Sequence, residues 1–166
     1  MRKRLGDTTN RISPATFRNE RVGALARREP ATVALGTPLS GAITAMQSGA
    51  TRSVLITDAE GRLVGILTEH DIVGRVLAAN ADAATPVDGY MSPLQDSLGL
   101  TAGLGEALDL MARGGYQGLP LVDAEGRIAG HLDSRDVLEY IAEAFPQEVL
   151  NLPPRPHQLM EQPEGA

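Results

Sequence analysis

Cysteine is absent from this 166-residue chain, which excludes a disulfide framework, a thiolate metal site and a thiol nucleophile. Tryptophan is absent too. Phe17, Phe145 and three tyrosines are the whole aromatic content, so a core has to rest on Leu, Val, Ile, Ala and Met. No run of 18 apolar residues occurs, which rules out a helical membrane span. The single lysine is Lys3, so no core lysine is available as a Schiff base or phosphate clamp. His70, His131 and His157 lack metal-ligand spacing. No nucleophile elbow, phosphate-binding loop or dinucleotide fingerprint appears, and nothing places a nucleophile beside a base, so no enzyme is expected. The leader MRKRLGDTTNR has no apolar region behind its charges; no secretory signal and a cytoplasmic location are expected.

What is present is ordinary for a globular chain: 42% hydrophobic and 22% charged residues. Charge is unevenly placed. Residues 1–28 hold Arg2, Lys3, Arg4, Arg11, Arg18, Arg21, Arg27 and Arg28 against Asp7 and Glu20, a balance of +6; with −6 overall, the remainder carries −12. A basic arm on an acidic body suits a polyanion or an acidic partner, or it pairs with its own body.

The pentapeptide DAEGR occurs at Asp58–Arg62 and again at Asp123–Arg127. A shift of 65 residues aligns 35–77 with 100–142 without a gap, and 13 of the 43 positions are identical. Self-similarity of this kind marks a duplicated supersecondary unit. Leu39, Ala42, Ile43 and Met46 recur at helical spacing, as do Leu104, Ala107, Leu108 and Met111, and Gly49 and Gly114–Gly115 read as helix stops. SVLIT and GLPLV, then LVGIL and IAGHL, are short apolar runs flanking DAEGR, in which Asp makes an Asx-turn and Gly takes positive φ. DAEGR is therefore a hairpin turn rather than a binding site. A second helix follows, with Ile72, Val73, Val76 and Leu77 matched by Val137, Leu138, Ile141 and Ala142, and the lead strands ATVAL and DSLGL precede each unit. The unit is β-α-β-β-α. Thr68-x-x-Asp71 before an apolar helical run reads as a capping box, and the helix start it defines also suits an anion.

These residues resemble the CBS domain family in its tandem arrangement, the Bateman module. GILTEHD (Gly65–Asp71), VDGYMSP (Val87–Pro93) and GLPLVD (Gly118–Asp123) carry the resemblance, over about residues 22–145. It implies an α/β (α+β) fold of two β-α-β-β-α CBS repeats packed about a pseudo-twofold axis, with two clefts between them. The expected division is a basic arm at 1–21, repeats at 22–84 and 85–145, and a Pro-containing tail at 146–166.

The resemblance further implies a regulatory ligand, an adenine nucleotide (AMP, ADP or ATP) or S-adenosylmethionine, and a homodimer. Carried onto this chain, Asp71 binds ribose and Thr68 lies near the phosphate or sugar. Each cleft draws on the other unit's lead strand, coupling Ser97 with Thr68 and Asp71, and Thr32 with Asp136. Arg52 is a phosphate candidate and His70 a weaker one. The second unit departs from the pattern: Asp133 stands where the family has Thr or Ser and would repel a phosphate, with Asp136 and Arg135 beside it. Unequal sites are expected. The leading expectation is a stand-alone sensor that relays nucleotide binding to a partner protein. The alternative is nucleic-acid binding through the Arg-rich arm, with the repeats as dimerising scaffold.

Overall fold

The computed structural model describes residues 14–93 and 96–144. Arg2, Lys3, Arg4 and Arg11 of the arm, and the tail at 146–166, lie outside the described residues. In chain order the elements are α1 (Pro14–Asn19), α2 (Val22–Leu25), β1 (Thr32–Ala34), α3 (Leu39–Ser48), β2 (Ser53–Thr57), β3 (Leu63–Thr68) and α4 (Glu69–Asp71). A π-helical stretch, Ile72–Leu77, continues α4, and a 3-10 turn, Val87–Gly89, precedes β4 (Ser92–Pro93). Then come β5 (Leu98–Gly99), α5 (Leu104–Gly114), β6 (Gly118–Val122), β7 (Ile128–Asp133) and α6 (Ser134–Ala144).

The strands form two sheets, ordered β1-β2-β3-β4 and β5-β6-β7. Within each, the lead strand is parallel to the next (Thr32 opposite Leu55; Leu98 opposite Leu121), and the hairpin is antiparallel (Val54 opposite Leu67; Leu119 opposite Leu132). Both hairpins shift register at the same place, at Ile56/Thr57 and Leu121/Val122. The DAEGR turns are as the sequence predicts. Asp58 Oδ1 accepts the N–H groups of Glu60 and Arg62 at 3.0 and 2.8 Å, and Asp123 repeats both bonds with Glu125 and Arg127. Gly61 and Gly126 take φ of 77° and 79°, which a side chain would resist. The two turns meet, with Arg62 bridged to Arg127.

Two units packed about a pseudo-twofold axis make the molecule, but their cores do not follow sequence order. Val22 and Leu25 of α2 are buried with Leu98, Leu104, Leu119, Leu121 and Leu132 in the second unit. Val87, beyond the boundary expected at 84/85, is buried with Leu39, Val54, Ile56 and Leu67 in the first. The backbone exchange is symmetric. Val22 N–H donates to Ala102 C=O at 3.0 Å, and Val87 N–H, 65 residues later, donates to Thr37 C=O at 2.9 Å.

The helices after the hairpins depart from the expected apolar face. Val76 and Val137 are buried, but Val73, Leu77 and Leu138 are about two-thirds exposed. Each helix meets its sheet along a narrow stripe only, so apolar spacing overstated the buried width.

Candidate functional site

A cleft of about 870 Å³ opens between the units. Thr68, Glu69, His70, Asp71, Arg52, Ser53, Ile66 and Ser92 line it from the first unit, and Arg113, Tyr116, Leu119, Pro120, His131 and Asp133 from the second. Its size falls within the range of small-molecule sites.

The site is built on the junction of β3 and α4. Thr68 ends the strand in extended conformation and caps the helix, its hydroxyl accepting Asp71 N–H at 3.1 Å while Asp71 Oδ2 accepts Thr68 N–H at 2.9 Å. The capping box of the sequence is thus present. It also fixes a nearly buried carboxylate at the cleft. Asp71 Oδ1 accepts the Ser92 hydroxyl at 3.0 Å, and Arg75 Nη1 lies 3.6 Å away. Burial works to raise this carboxyl's pKa, but the Thr68 hydroxyl and N–H, the Ser92 hydroxyl and the Arg75 charge together outweigh it and hold the group below the usual carboxylate range. Asp71 is an ionised acceptor at neutral pH.

The structure brings Thr68, Asp71, Arg52 and His70 together. Arg52 stands at the rim, exposed, with Nε 3.9 Å from Glu69. Ser97 does not line the cleft; the coupling expected of it is made by Ser92. The reason is β4, which pairs Ser92 with Ile66 on β3 and so delivers a hydroxyl beside Asp71, whereas Ser97 leads into β5 of the other sheet. Ser92 lies inside the VDGYMSP motif, so the signal for it was in the sequence.

In the second unit, Asp136 is buried and accepts Asp133 N–H at 2.9 Å, and Asp133 Oδ1 accepts Arg135 N–H at 2.8 Å. Neither Asp136 nor Arg135 lines the cleft, and Thr32, exposed on β1, is not what meets Asp136. Arg28 does, with Nη1 2.6 Å from Asp136 Oδ1. Three arginines of the basic stretch 1–28 are committed to the acidic body: Arg18 to Asp109 at 2.9 Å, Arg27 to Glu143 at 2.7 Å, and Arg28 to Asp136 and Glu139. These pairings remove charge from the polyanion surface that the arm was expected to present.

Besides Ser92, sequence reasoning missed His131 and Tyr116 among the lining residues. His131 stands where the first repeat has Ile66, packed over Gly118, where a Cβ would lie 2.5 Å from its Cε1. Burial lowers the His131 pKa, with Asp133 and Asp136 opposing. Tyr116 donates its hydroxyl to Asp96, which raises the phenol's pKa through that bond, burial and the carboxylate's charge. Among the described residues no group of three or more His, Cys, Asp or Glu is placed to hold a metal, and no helix is long and apolar enough to cross a membrane.

Comparison with known proteins supplies a wider frame. The sequence pattern of the CBS domain family matches residues 22–78 and 92–143. An uncharacterised 17.7 kDa protein of Acidianus ambivalens is 37% identical over 87 residues, covering 51% of this chain and 51% of that relative, so the match spans about half its length. Among solved structures, a CBS domain protein of Pyrobaculum aerophilum, PAE2072, complexed with AMP, matches 75% of this chain and 100% of its own at 22% identity and a TM-score of 0.66. The CBS domain pair of protein MJ0100, complexed with 5′-methylthioadenosine and S-adenosyl-L-methionine, matches 75% of this chain and 97% of its own at 22% identity and a TM-score of 0.67.

Proposed function

This chain belongs to the CBS domain family, and from that premise we propose that it is a regulatory module whose ligand is an adenosine compound held at Thr68 and Asp71 in the cleft between the units. The observation that carries the reading is Asp71: a nearly buried, ionised carboxylate, fixed by Thr68 and Ser92, at the edge of a cleft large enough for a nucleoside. Such a group accepts the vicinal hydroxyls of ribose. Thr68 lies on the same wall, Arg52 and His70 stand at the rim for a phosphate, and Ile66, Leu119 and Pro120 offer an apolar face for the base. The three ligands of PAE2072 and of MJ0100, all adenosine compounds, support the class.

The lining also favours low negative charge. Among the described residues it carries Glu69, Asp71, Asp96 and Asp133 against Arg52 and Arg113. Each added phosphate raises repulsion, so AMP or the sulfonium cation S-adenosylmethionine suits this cleft better than ATP. Binding acts on function through the difference in affinity between two shapes of the module, passed to a partner protein. A homodimer belongs to this reading, and the exposed Val73, Leu77 and Leu138 supply apolar surface for it.

Thermal unfolding against AMP, ADP, ATP, S-adenosylmethionine, 5′-methylthioadenosine and NAD, each at millimolar concentration, tests the reading. Ligand at a hundredfold excess over its Kd adds about 2.7 kcal/mol, enough to raise Tm by several degrees. AMP or S-adenosylmethionine should give the largest shift, and Asp71→Ala should abolish it. No shift with any adenosine compound, or a shift that survives Asp71→Ala, rejects the site.

A further inference from the structure

The 65-residue shift that relates the repeats also relates their surroundings. It places Asp71 on Asp136, Thr68 on Asp133, Val87 on Val22, Ser92 on Arg27 and Pro93 on Arg28. In the first unit, the lead segment gives Asp71 a small neutral donor, the Ser92 hydroxyl, and the cleft beside it stays open. In the second, the matching lead segment gives Asp136 the Arg28 guanidinium. Nη1 lies 2.6 Å from Asp136 Oδ1, and Nη2 of the same group lies 2.6 Å from Glu139 Oε1. The Asp136 side chain is only 1% exposed, and its other oxygen is taken by Asp133 N–H. Next to it Arg27 grips Glu143 through both nitrogens, at 2.7 and 2.8 Å. The preceding turn of chain is clamped to the same helix, Phe17 stacking on Tyr140 at 5.7 Å and Tyr140 donating to Glu20 at 3.3 Å.

We propose that Arg28 is the resident occupant of the second site: its guanidinium fills the place by Asp136 that a ligand's ribose would take, so the chain holds one adenosine compound, at Asp71, and not two. The inference rests on the functional reading above and deepens it. A ribose offers neutral hydroxyls, whereas Arg28 makes charge-assisted bonds to two carboxylates, the stronger kind. Arg28 is also tethered, so it rebinds at an effective concentration that a free nucleoside does not reach. Displacing it would leave a buried carboxylate without its counter-charge. Asp133 adds a second barrier for any ligand bearing phosphate. The inequality of the two sites therefore comes from the segment that opens the first repeat as well as from the departure at Asp133.

The test is isothermal titration of the full chain with AMP and with uncharged adenosine, reading the number bound per chain. Wild type should bind one of either, and Asp71→Ala none. Arg28→Ser, which removes the guanidinium from Asp136, should bind two adenosines, and Arg28→Ser with Asp136→Asn should return to one. Arg28→Gln, which drops the charge and shortens the reach to Asp136 while keeping part of the side chain's stem, replaces Arg28→Ser if circular dichroism shows that the latter does not fold. Two bound per wild-type chain would overturn the inference while leaving the functional reading intact. So would a count that stays at one when Arg28 is neutralised, whereas a single wild-type site that survives Asp71→Ala would overturn the functional reading as well. Binding by neither wild type nor the Arg28 variants would overturn the functional reading and this inference with it.

Discussion

His131 shows how one side chain changes the character of a repeated scaffold. The first repeat has Ile66 at this position and the second has an imidazole, both lining the cleft. Burial is the dominant influence and disfavours the imidazolium, with Asp133 and Asp136 partly offsetting it, so the folded pKa lies below the ordinary value of about 6.5. Between the two values the unfolded chain binds more protons than the folded one. Stability therefore rises with pH through that interval and is fully present above about pH 6.5. Urea unfolding at a series of pH values should show this rise in wild type and a flatter profile in His131→Gln. Identical profiles would mean that other groups set the dependence. At this scale the sequence yielded Thr68 and Asp71, because a capping box is local. It did not yield Ser92, Arg28 or His131 as site residues, because what makes each matter is a neighbour far along the chain.

The ends of α3 and α5 show how far an element follows from its own residues. Both close with the same motif. Thr51 N–H donates to Met46 C=O and Tyr116 N–H to Met111 C=O, with Ala50 and Gly115 at φ of 47° and 66°. The glycines in the sequence predicted both stops, but in α3 Gly49 keeps right-handed geometry at φ −81°, and the strained position falls on Ala50. A left-handed alanine costs about 1–2 kcal/mol, and glycine gives back part of any relief as unfolded-state entropy. Ala50→Gly should stabilise the protein by about 0.5–1 kcal/mol, measured by chemical denaturation. A destabilised variant would show that Ala50 is not strained. The hairpins needed no such correction, since Asp first and Gly fourth specify the turn within five residues.

On the scale of the whole molecule, the decisive feature is the exchange of lead segments. Val22 is fully buried in the second unit's core, although it opens the first repeat. Val22→Ala should cost about 2 kcal/mol. Hydrogen exchange should then show lost protection in β6 and β7 more than in β2 and β3; loss centred on the first sheet would contradict the exchanged packing. The same crossing carries Arg28 to Asp136 and Ser92 to Asp71, so it decides which donor each buried carboxylate meets. The sequence alone determined the duplication, the order of elements, the two turns, the capping box at Asp71 and the family, because each is written in local spacing or in identity between repeats. Which lead segment packs on which unit, and hence which donors reach the two buried carboxylates, was left to the tertiary structure. That choice depends on burying Val22 and Val87 across the pair, and pairing over such separations leaves no periodic mark in the chain.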